Sequence, residues 1–217
     1  MIALAALDIA GTTVQEGGAV YRVLADVVAD HGTPATDADL RRWMGADKRE
    51  ALAALTGDPA STEDLHDRFV QRLRSAYLRT PPVPVPGVPE CLARLRAAGV
   101  KVALTTGFDR QVTDPLLAAL GWRVGVEVDA VVCASEVAAG RPAPHMIARA
   151  MELTGVSDAR QVLAAGDTVL DVLAGRAAGA GWVVAVLSGA QTREELVIEH
   201  PTHVLDDVTG IPALLGL

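Results

Sequence analysis

Runs of five to eight residues rich in valine, alanine and leucine alternate along this chain with segments whose apolar residues recur every three or four positions. "IALAALD" (2–8), "VKVALTTG" (100–107), "DAVVCASE" (129–136), "QVLAAGD" (161–167) and "WVVAVLSG" (182–189) read as strands, with "THVLDD" (202–207) as a weaker sixth. Between them, "VPECLARLRAAG", "DPLLAALGW", "PHMIARAMELTG" and "VLDVLAGRAAGAG" have helical spacing, with glycines at their ends. Strands buried on both faces read as continuous apolar runs, and parallel neighbours need a crossover helix. The alternation therefore predicts an α/β core: a Rossmann-like parallel sheet with helices on both faces.

Residues 15–86 break the rhythm. "AVYRVLADVVADHG", "TDADLRRWMG", "DKREALAALTG" and "TEDLHDRFVQRLRSAYLRT" are all helical in period, and no convincing strand appears among them. The stretch ends in "PPVPVPGVP", too proline-rich for helix and suited to a semi-rigid connector. This reading makes residues 1–14 and 87–217 a core, and 15–86 a small all-helical cap with a proline-rich return linker. Such an insertion lies over the carboxyl ends of the strands, where open α/β sheets bind ligands. The stripe Val20, Val23, Leu24, Val27 and Val28 is expected to pack in the core.

Charge and composition narrow the partners. A formal net charge of −8 argues against nucleic acid or an anionic membrane as the main partner. No apolar run approaches the roughly 20 residues that span a bilayer, and "MIALAALDIA" lacks a basic leader region, so a cytoplasmic location is expected. Cys91 and Cys133 fit no metal-ligand spacing and read as small core residues. The five histidines form no metal-spaced cluster. Only two of the 19 basic residues are lysines, Lys48 and Lys101. A lysine, unlike an arginine, can be deprotonated by burial and used as an amine nucleophile.

In a parallel sheet all carboxyl ends lie on one rim, so residues distant in sequence converge there. Asp8 with Thr12, Thr105-Thr106-Gly107, Arg141 in "AAGRPAP", and Asp167 with Asp171 in "AAGDTVLD" all sit at such ends. Asp8 and Asp167 would give a hard-oxygen site for Mg²⁺, which needs few carboxylates beside water and substrate oxygens. Thr12, Thr106, Gly107 and nearby backbone N–H groups would hold a phosphoryl group. Arg141 adds a permanent fork-shaped charge. Each element taken alone has an ordinary use, as turn, helix cap or surface charge. Their ordered conjunction is what points to chemistry.

That ordered set resembles the haloacid dehalogenase superfamily of phosphoryl-transfer enzymes over essentially the whole chain. Asp8 matches the nucleophile, Thr106 the second motif, Arg141 the basic third motif, and Asp167 with Asp171 the acidic fourth. The resemblance implies an aspartyl-phosphate at Asp8 and Mg²⁺ held by Asp8, the Ala10 carbonyl oxygen and Asp167, with Asp171 acting through water or a neighbour. Most members carry a second Asp two residues after the first, as the leaving-group acid. Here that position is Ala10.

The phosphonoacetaldehyde hydrolase branch shares this departure. "DIAGTTV" resembles its first motif, "AAGRP" its arginine-bearing third motif, and "WMGADKREAL" supplies Met44, Gly45 and Lys48 at the spacing of its cap lysine. The chemistry accounts for the combination. Breaking a C–P bond expels a carbanion, and an amine condensed with a carbonyl β to phosphorus gives an iminium that accepts those electrons. Lys48 then takes over from the missing acid, provided that desolvation and a nearby cation lower its pKa. Two positions depart from the branch: Ala51 stands where it carries His, and Phe108 where it carries Tyr. The implied partner is a small phosphonate or phosphate, and the implied assembly a homodimer. An ordinary Mg²⁺-dependent phosphomonoester phosphatase is the competing reading, and a non-catalytic phosphometabolite-binding protein a second.

Overall fold

A computed structural model describes residues 1–32 and 34–217. Strand β1 (Leu4–Asp8) runs into a tight turn and a two-residue strand, β2 (Val14–Gln15). Four helices follow, α1 (Ala19–Asp30), α2 (Asp37–Arg42), α3 (Lys48–Thr56) and α4 (Thr62–Arg79), and the chain returns through β3 (Val83–Pro84). The alternation then resumes with α5 (Val88–Ala97), β4 (Lys101–Thr106), α6 (Arg110–Leu120), β5 (Ala130–Cys133) and α7 (His145–Thr154). It closes with β6 (Val162–Gly166), α8 (Val169–Ala177), β7 (Trp182–Val186), α9 (Arg193–Val197), β8 (His203–Leu205) and α10 (Ile211–Leu214).

Six strands form one parallel sheet in the order β5-β4-β1-β6-β7-β8. The chain leaves β1 towards β4 and β5, then returns to the other side for β6. The carboxyl end of β1 is thus the crevice where strand order reverses, the usual ligand position in such sheets. Every residue of β1 is buried. Its side chains alternate as a pleat requires: Ala5 and Leu7 join a cluster with Cys91, Leu92 and Leu95 of α5, while Leu4 and Ala6 pack with Met146, Ile147 and Ala150 of α7. Helices therefore cover both faces, as expected. Both cysteines are free and buried. Among the described residues no helix is long and apolar enough to cross a membrane.

Val20, Val23, Leu24, Val27 and Val28 are buried within the chain itself, in one cluster with Phe69 and Leu73 of α4 and Ile9 of the core. The helical insertion and the sheet thus share an apolar seam. Two details of the sequence reading change. Residues 15–86 are not free of strand: Val14–Gln15 pairs antiparallel with Val83–Pro84. Two residues per strand are too few to show a period, and Pro84 is tolerated because the ribbon has free edges. Helix α6 starts at Arg110, four residues before the expected Asp114, because the Asp109 carboxylate accepts from Val112 N and caps it there; Pro115 lies inside the helix.

Candidate active site

The end of β1 turns sharply. Thr13 N and Val14 N both donate to the Ile9 carbonyl, and the Thr13 hydroxyl donates to the Asp8 carbonyl at 2.9 Å. That turn leaves the Asp8 side chain at the mouth of the sheet, 6 % exposed. Asp8 pairs in register with Thr105 of β4, which brings the second strand end beside it. The third arrives from the loop before α7: Arg141, 4 % exposed, places Nη1 2.7 Å from Asp8 Oδ1 and Nε 2.8 Å from Asp171 Oδ1. Its Nη2 also donates to the Thr105 hydroxyl at 2.9 Å. Thr105, given no role by the sequence, therefore aims Arg141.

The fourth strand end holds Asp167, whose Oδ1 accepts from the Thr12 hydroxyl at 3.0 Å and whose Oδ2 accepts from Ala190 N at 2.7 Å. Thr12, expected against the phosphoryl group, orients this carboxylate. Helix α8 is capped by Thr168 rather than Asp167, and Asp171 completes that capping box with its second oxygen. Both Asp171 oxygens are thus engaged, one by Arg141 and one by Thr168. Ser188, after β7, donates to the Gly11 carbonyl at 2.7 Å and ties down the first turn. The Ser-Gly-Ala at that strand end was the available signal for the 188–190 loop, since it lies on the same rim.

Burial dominates the electrostatics. It pushes the Asp8 pKa up to about 7 despite the Arg141 guanidinium, with Asp171 adding to the rise. Burial, with repulsion from Asp8 and Asp171, also pushes Asp167 well above the ordinary carboxylate value. Asp167 differs from its neighbours in its partners: the hydrogen bonds it accepts come from a neutral hydroxyl and a neutral amide.

The insertion contributes the opposite wall. Lys48 is the first residue of α3, whose cap Asp47 accepts from Arg49 N and Glu50 N. The helix start thus fixes where the lysine points. Lys48 is 4 % exposed and donates from Nζ to the Ala46 carbonyl at 2.6 Å. Burial lowers its pKa to about 8; Asp47, Asp8 and Asp171 oppose that shift, while Arg141 reinforces it. Lys48, Asp8, Ala10, Tyr21, Thr106, Gly107, Arg141 and Asp167 line one small cavity of about 20 Å³. Met44 instead lines a neighbouring cavity of about 490 Å³.

Among known proteins, residues 2–179 match the model of the haloacid dehalogenase-like hydrolase family. The chain is a haloacid dehalogenase-like hydrolase. It is 34 % identical over 199 residues to a phosphonoacetaldehyde hydrolase of Hahella chejuensis, covering 82 % of this chain and 66 % of that one, just under two thirds. It is also 34 % identical over 200 residues to a phosphonoacetaldehyde hydrolase of Bacillus cereus strain AH187, covering 84 % and 75 %. Its fold matches that of a phosphonoacetaldehyde hydrolase-like protein from Oleispira antarctica with a TM-score of 0.83 at 22 % identity, covering 99 % and 91 %.

In this hydrolase the positions that depart from the branch are both buried. Ala51 is 0 % exposed and packs in the apolar cluster of the insertion, one turn along α3 from Lys48. Phe108 lines the cavity, with Lys48 Nζ 5.8 Å from its ring centroid. Neither supplies a proton donor.

Insertion and core also meet at close range. A Cβ on Gly107 would strike the Ala46 carbonyl, and one on Gly45, at φ +82°, would strike the Thr168 hydroxyl. Further out, Asp109 at the start of α6 meets Arg49 Nη1 at 3.2 Å and His66 Nε2 at 3.4 Å, both from the insertion. Gly107→Ala is expected to keep the fold but hold the two parts of the hydrolase apart, lowering kcat/KM by about tenfold or more. Comparing steady-state rates and protease resistance of the two forms checks this; wild-type values for both would show that the contact is slack.

Proposed function

We propose that this hydrolase cleaves the C–P bond of phosphonoacetaldehyde or a closely related 2-oxoalkylphosphonate, giving an aldehyde and phosphate. The observation that carries the reading is a buried lysine, Lys48, lining the same cavity as Asp8 while Ala10 offers only a methyl group there. An enzyme that expelled an alkoxide would want an acid at that position, worth typically 10²–10⁴ in rate. One that expels carbon wants an electron sink, and an amine made partly neutral by burial provides it. The names of the relatives at 34 % identity support the same chemistry.

In this reading the neutral Lys48 amine condenses with the substrate carbonyl to form a Schiff base. Asp8 then attacks phosphorus in line and receives the phosphoryl group as an aspartyl-phosphate, while the carbon leaves as an enamine. Arg141, the Thr106 hydroxyl and the Gly107 backbone hold the phosphoryl oxygens. Residues 15–86 act as a cap over a core of 1–14 and 87–217. A 20 Å³ cavity has room for about one water, so entry of a phosphonate requires that cap to move and Arg141 to release Asp8.

The residues also fit Mg²⁺. Asp167 is a buried carboxylate whose bonded partners are neutral, a charge deficit that a divalent cation would cancel. Among the described residues no group of three or more His, Cys, Asp or Glu side chains could by itself cage a metal. That spare set suits Mg²⁺, which keeps water and substrate oxygens in its shell. We assign Asp8, the Ala10 carbonyl and Asp167 as its ligands, with Asp171 acting behind them through Arg141 and Thr168. Bound there, Mg²⁺ would neutralise the carboxylates and polarise the phosphoryl oxygens.

Two measurements test the reading. Intact-mass analysis after adding phosphonoacetaldehyde and borohydride should show a substrate-dependent adduct that maps to Lys48. Absence of an adduct, with phosphate released from ordinary phosphate esters, would make the protein a phosphomonoester phosphatase. The pH profile has a defined sign: with the Asp8 pKa raised to about 7 and the Lys48 pKa lowered to about 8, kcat/KM should rise steeply up to about pH 7, tenfold per unit from there to about pH 8, and then level off. A limb extending to the ordinary lysine value would mean that Lys48 is solvated when it reacts.

A further inference from the structure

The reaction just proposed needs a proton at the carbonyl oxygen twice, once as the amine adds and once as water leaves, and Ala10, Ala51 and Phe108 cannot give it. Among the cavity-lining side chains the Thr168 hydroxyl is spent on Asp171, and the Arg141 guanidinium on Asp8, Asp171 and Thr105. Thr106 closes the strand end on the phosphoryl side, where its hydroxyl accepts from Phe108 N. The remaining hydroxyl belongs to Tyr21 of α1. Its oxygen accepts from Gly45 N at 3.2 Å, and among the described residues its own proton has no acceptor.

Position favours it as strongly as availability. Tyr21 and Lys48 grip neighbouring residues of one loop: the phenol oxygen accepts from Gly45 N–H and the Lys48 ammonium donates to the Ala46 carbonyl. Both residues line the same cavity of about 20 Å³. Tyr21 also lines the neighbouring 490 Å³ cavity, sharing that wall with Ala10 and Asp167, so a water formed beside it has an exit.

We propose that Tyr21 is the catalytic proton donor to the substrate carbonyl oxygen, and that it selects for substrates carrying a carbonyl β to phosphorus. The inference rests on the C–P cleavage reading above. As the Lys48 amine bonds to the carbonyl carbon, the π pair moves to oxygen. The oxygen takes the phenol proton, and the phenolate takes one from the new ammonium, leaving a neutral carbinolamine. In dehydration the nitrogen lone pair forms the C=N bond and the C–O bond breaks. The departing hydroxide takes the phenol proton and leaves as water. After C–P cleavage the enamine takes a proton at carbon from solvent water and becomes an iminium again; water then adds to it, and the phenolate regains its proton from that water as the product is released. A phenol is protonated at neutral pH and so is available at the start of each turnover.

The test is the rate of borohydride-trapped Lys48 adduct with phosphonoacetaldehyde, in wild type and in Tyr21→Phe, across the pH range. The expected result is trapping about 10²-fold slower in the variant, with kcat falling in step and the ascending limb still near pH 8. No adduct in wild type would remove the underlying reading rather than this one. Adduct in both proteins at rates within about threefold, far below the usual value of a positioned acid, would overturn the Tyr21 assignment. A slower variant whose limb has moved to the ordinary lysine value would also overturn it, because the phenol would then serve only to hold the Gly45 loop over Lys48.

Discussion

Lys48→Arg should abolish turnover, by at least about 10⁴-fold in kcat, the scale on which loss of a covalent nucleophile registers. The substitution keeps the positive charge, so a purely electrostatic role for Lys48 would survive it. An arginine, however, stays protonated in proteins and has no lone pair to offer a carbonyl. Burial lowers the pKa of the lysine at this position to about 8, so that a fraction of it is neutral at about pH 7, and among the described residues its Nζ has one hydrogen-bond partner, the Ala46 carbonyl. Metal binding should persist, since the ligands assigned to Mg²⁺ lie on the sheet side of the cavity. Phosphate release, adduct mass and calorimetric Mg²⁺ titration measured together decide the matter. Wild-type-like phosphate release from the variant would end the imine mechanism.

Asp8→Asn should abolish phosphate release to a similar degree while leaving the Lys48 adduct intact, or even raising its steady-state level. An amide cannot attack phosphorus, and removing the Asp8 charge, which opposes the lowering of the Lys48 pKa, favours the neutral amine. The two half-reactions thus separate on the two walls of one cavity. The variant should also fold. Burial pushes the Asp8 pKa up to about 7, so its charge is held at a cost that the amide avoids. Arg141 would keep its pair with Asp171 at 2.8 Å and its bond to Thr105, and so would not become an unpaired buried charge. Trapped adduct with no phosphate is the expected outcome. Loss of both would place Asp8 in substrate binding as well, and phosphate release at the wild-type rate would exclude an aspartyl-phosphate.

The difference between the two variants also distinguishes a C–P hydrolase from an ordinary phosphatase on the same fold. In a phosphatase, Asp8→Asn is the lethal change and Lys48→Arg a mild one, because no step would use the amine. In a C–P hydrolase both are lethal, but at different points of the cycle. That contrast rests on the protein's own residues and holds for any substrate with a carbonyl β to phosphorus.

Much of this was legible in the linear chain, for a physical reason. Strand and helix have fixed periods, 2 and 3.6 residues, so the alternation of apolar runs determined the parallel core and placed Asp8, Thr106, Arg141 and Asp167 at its rim. The same periodicity placed Val20 to Val28 on a buried stripe. The scarcity of lysine drew attention to Lys48, while the resemblance to a known family marked its place after Met-Gly and the missing acid at Ala10. What periodicity does not carry is which polar tip meets which partner once the layers close. The Thr12 hydroxyl meets Asp167 across 155 positions, and Arg141 chooses Thr105 and Asp171 as well as Asp8. Asp109 is met by Arg49 and His66 from the insertion. Tyr21 lies off the buried stripe of α1, and helical period says nothing of where its hydroxyl points. The two-residue ribbon at Val14 and Val83 is shorter than any period. Sequence by itself determined which residues stand at the strand ends. Only the tertiary structure decided their bonds, because a hydrogen bond depends on ångström-scale distance between tips that packing, not spacing along the chain, brings together.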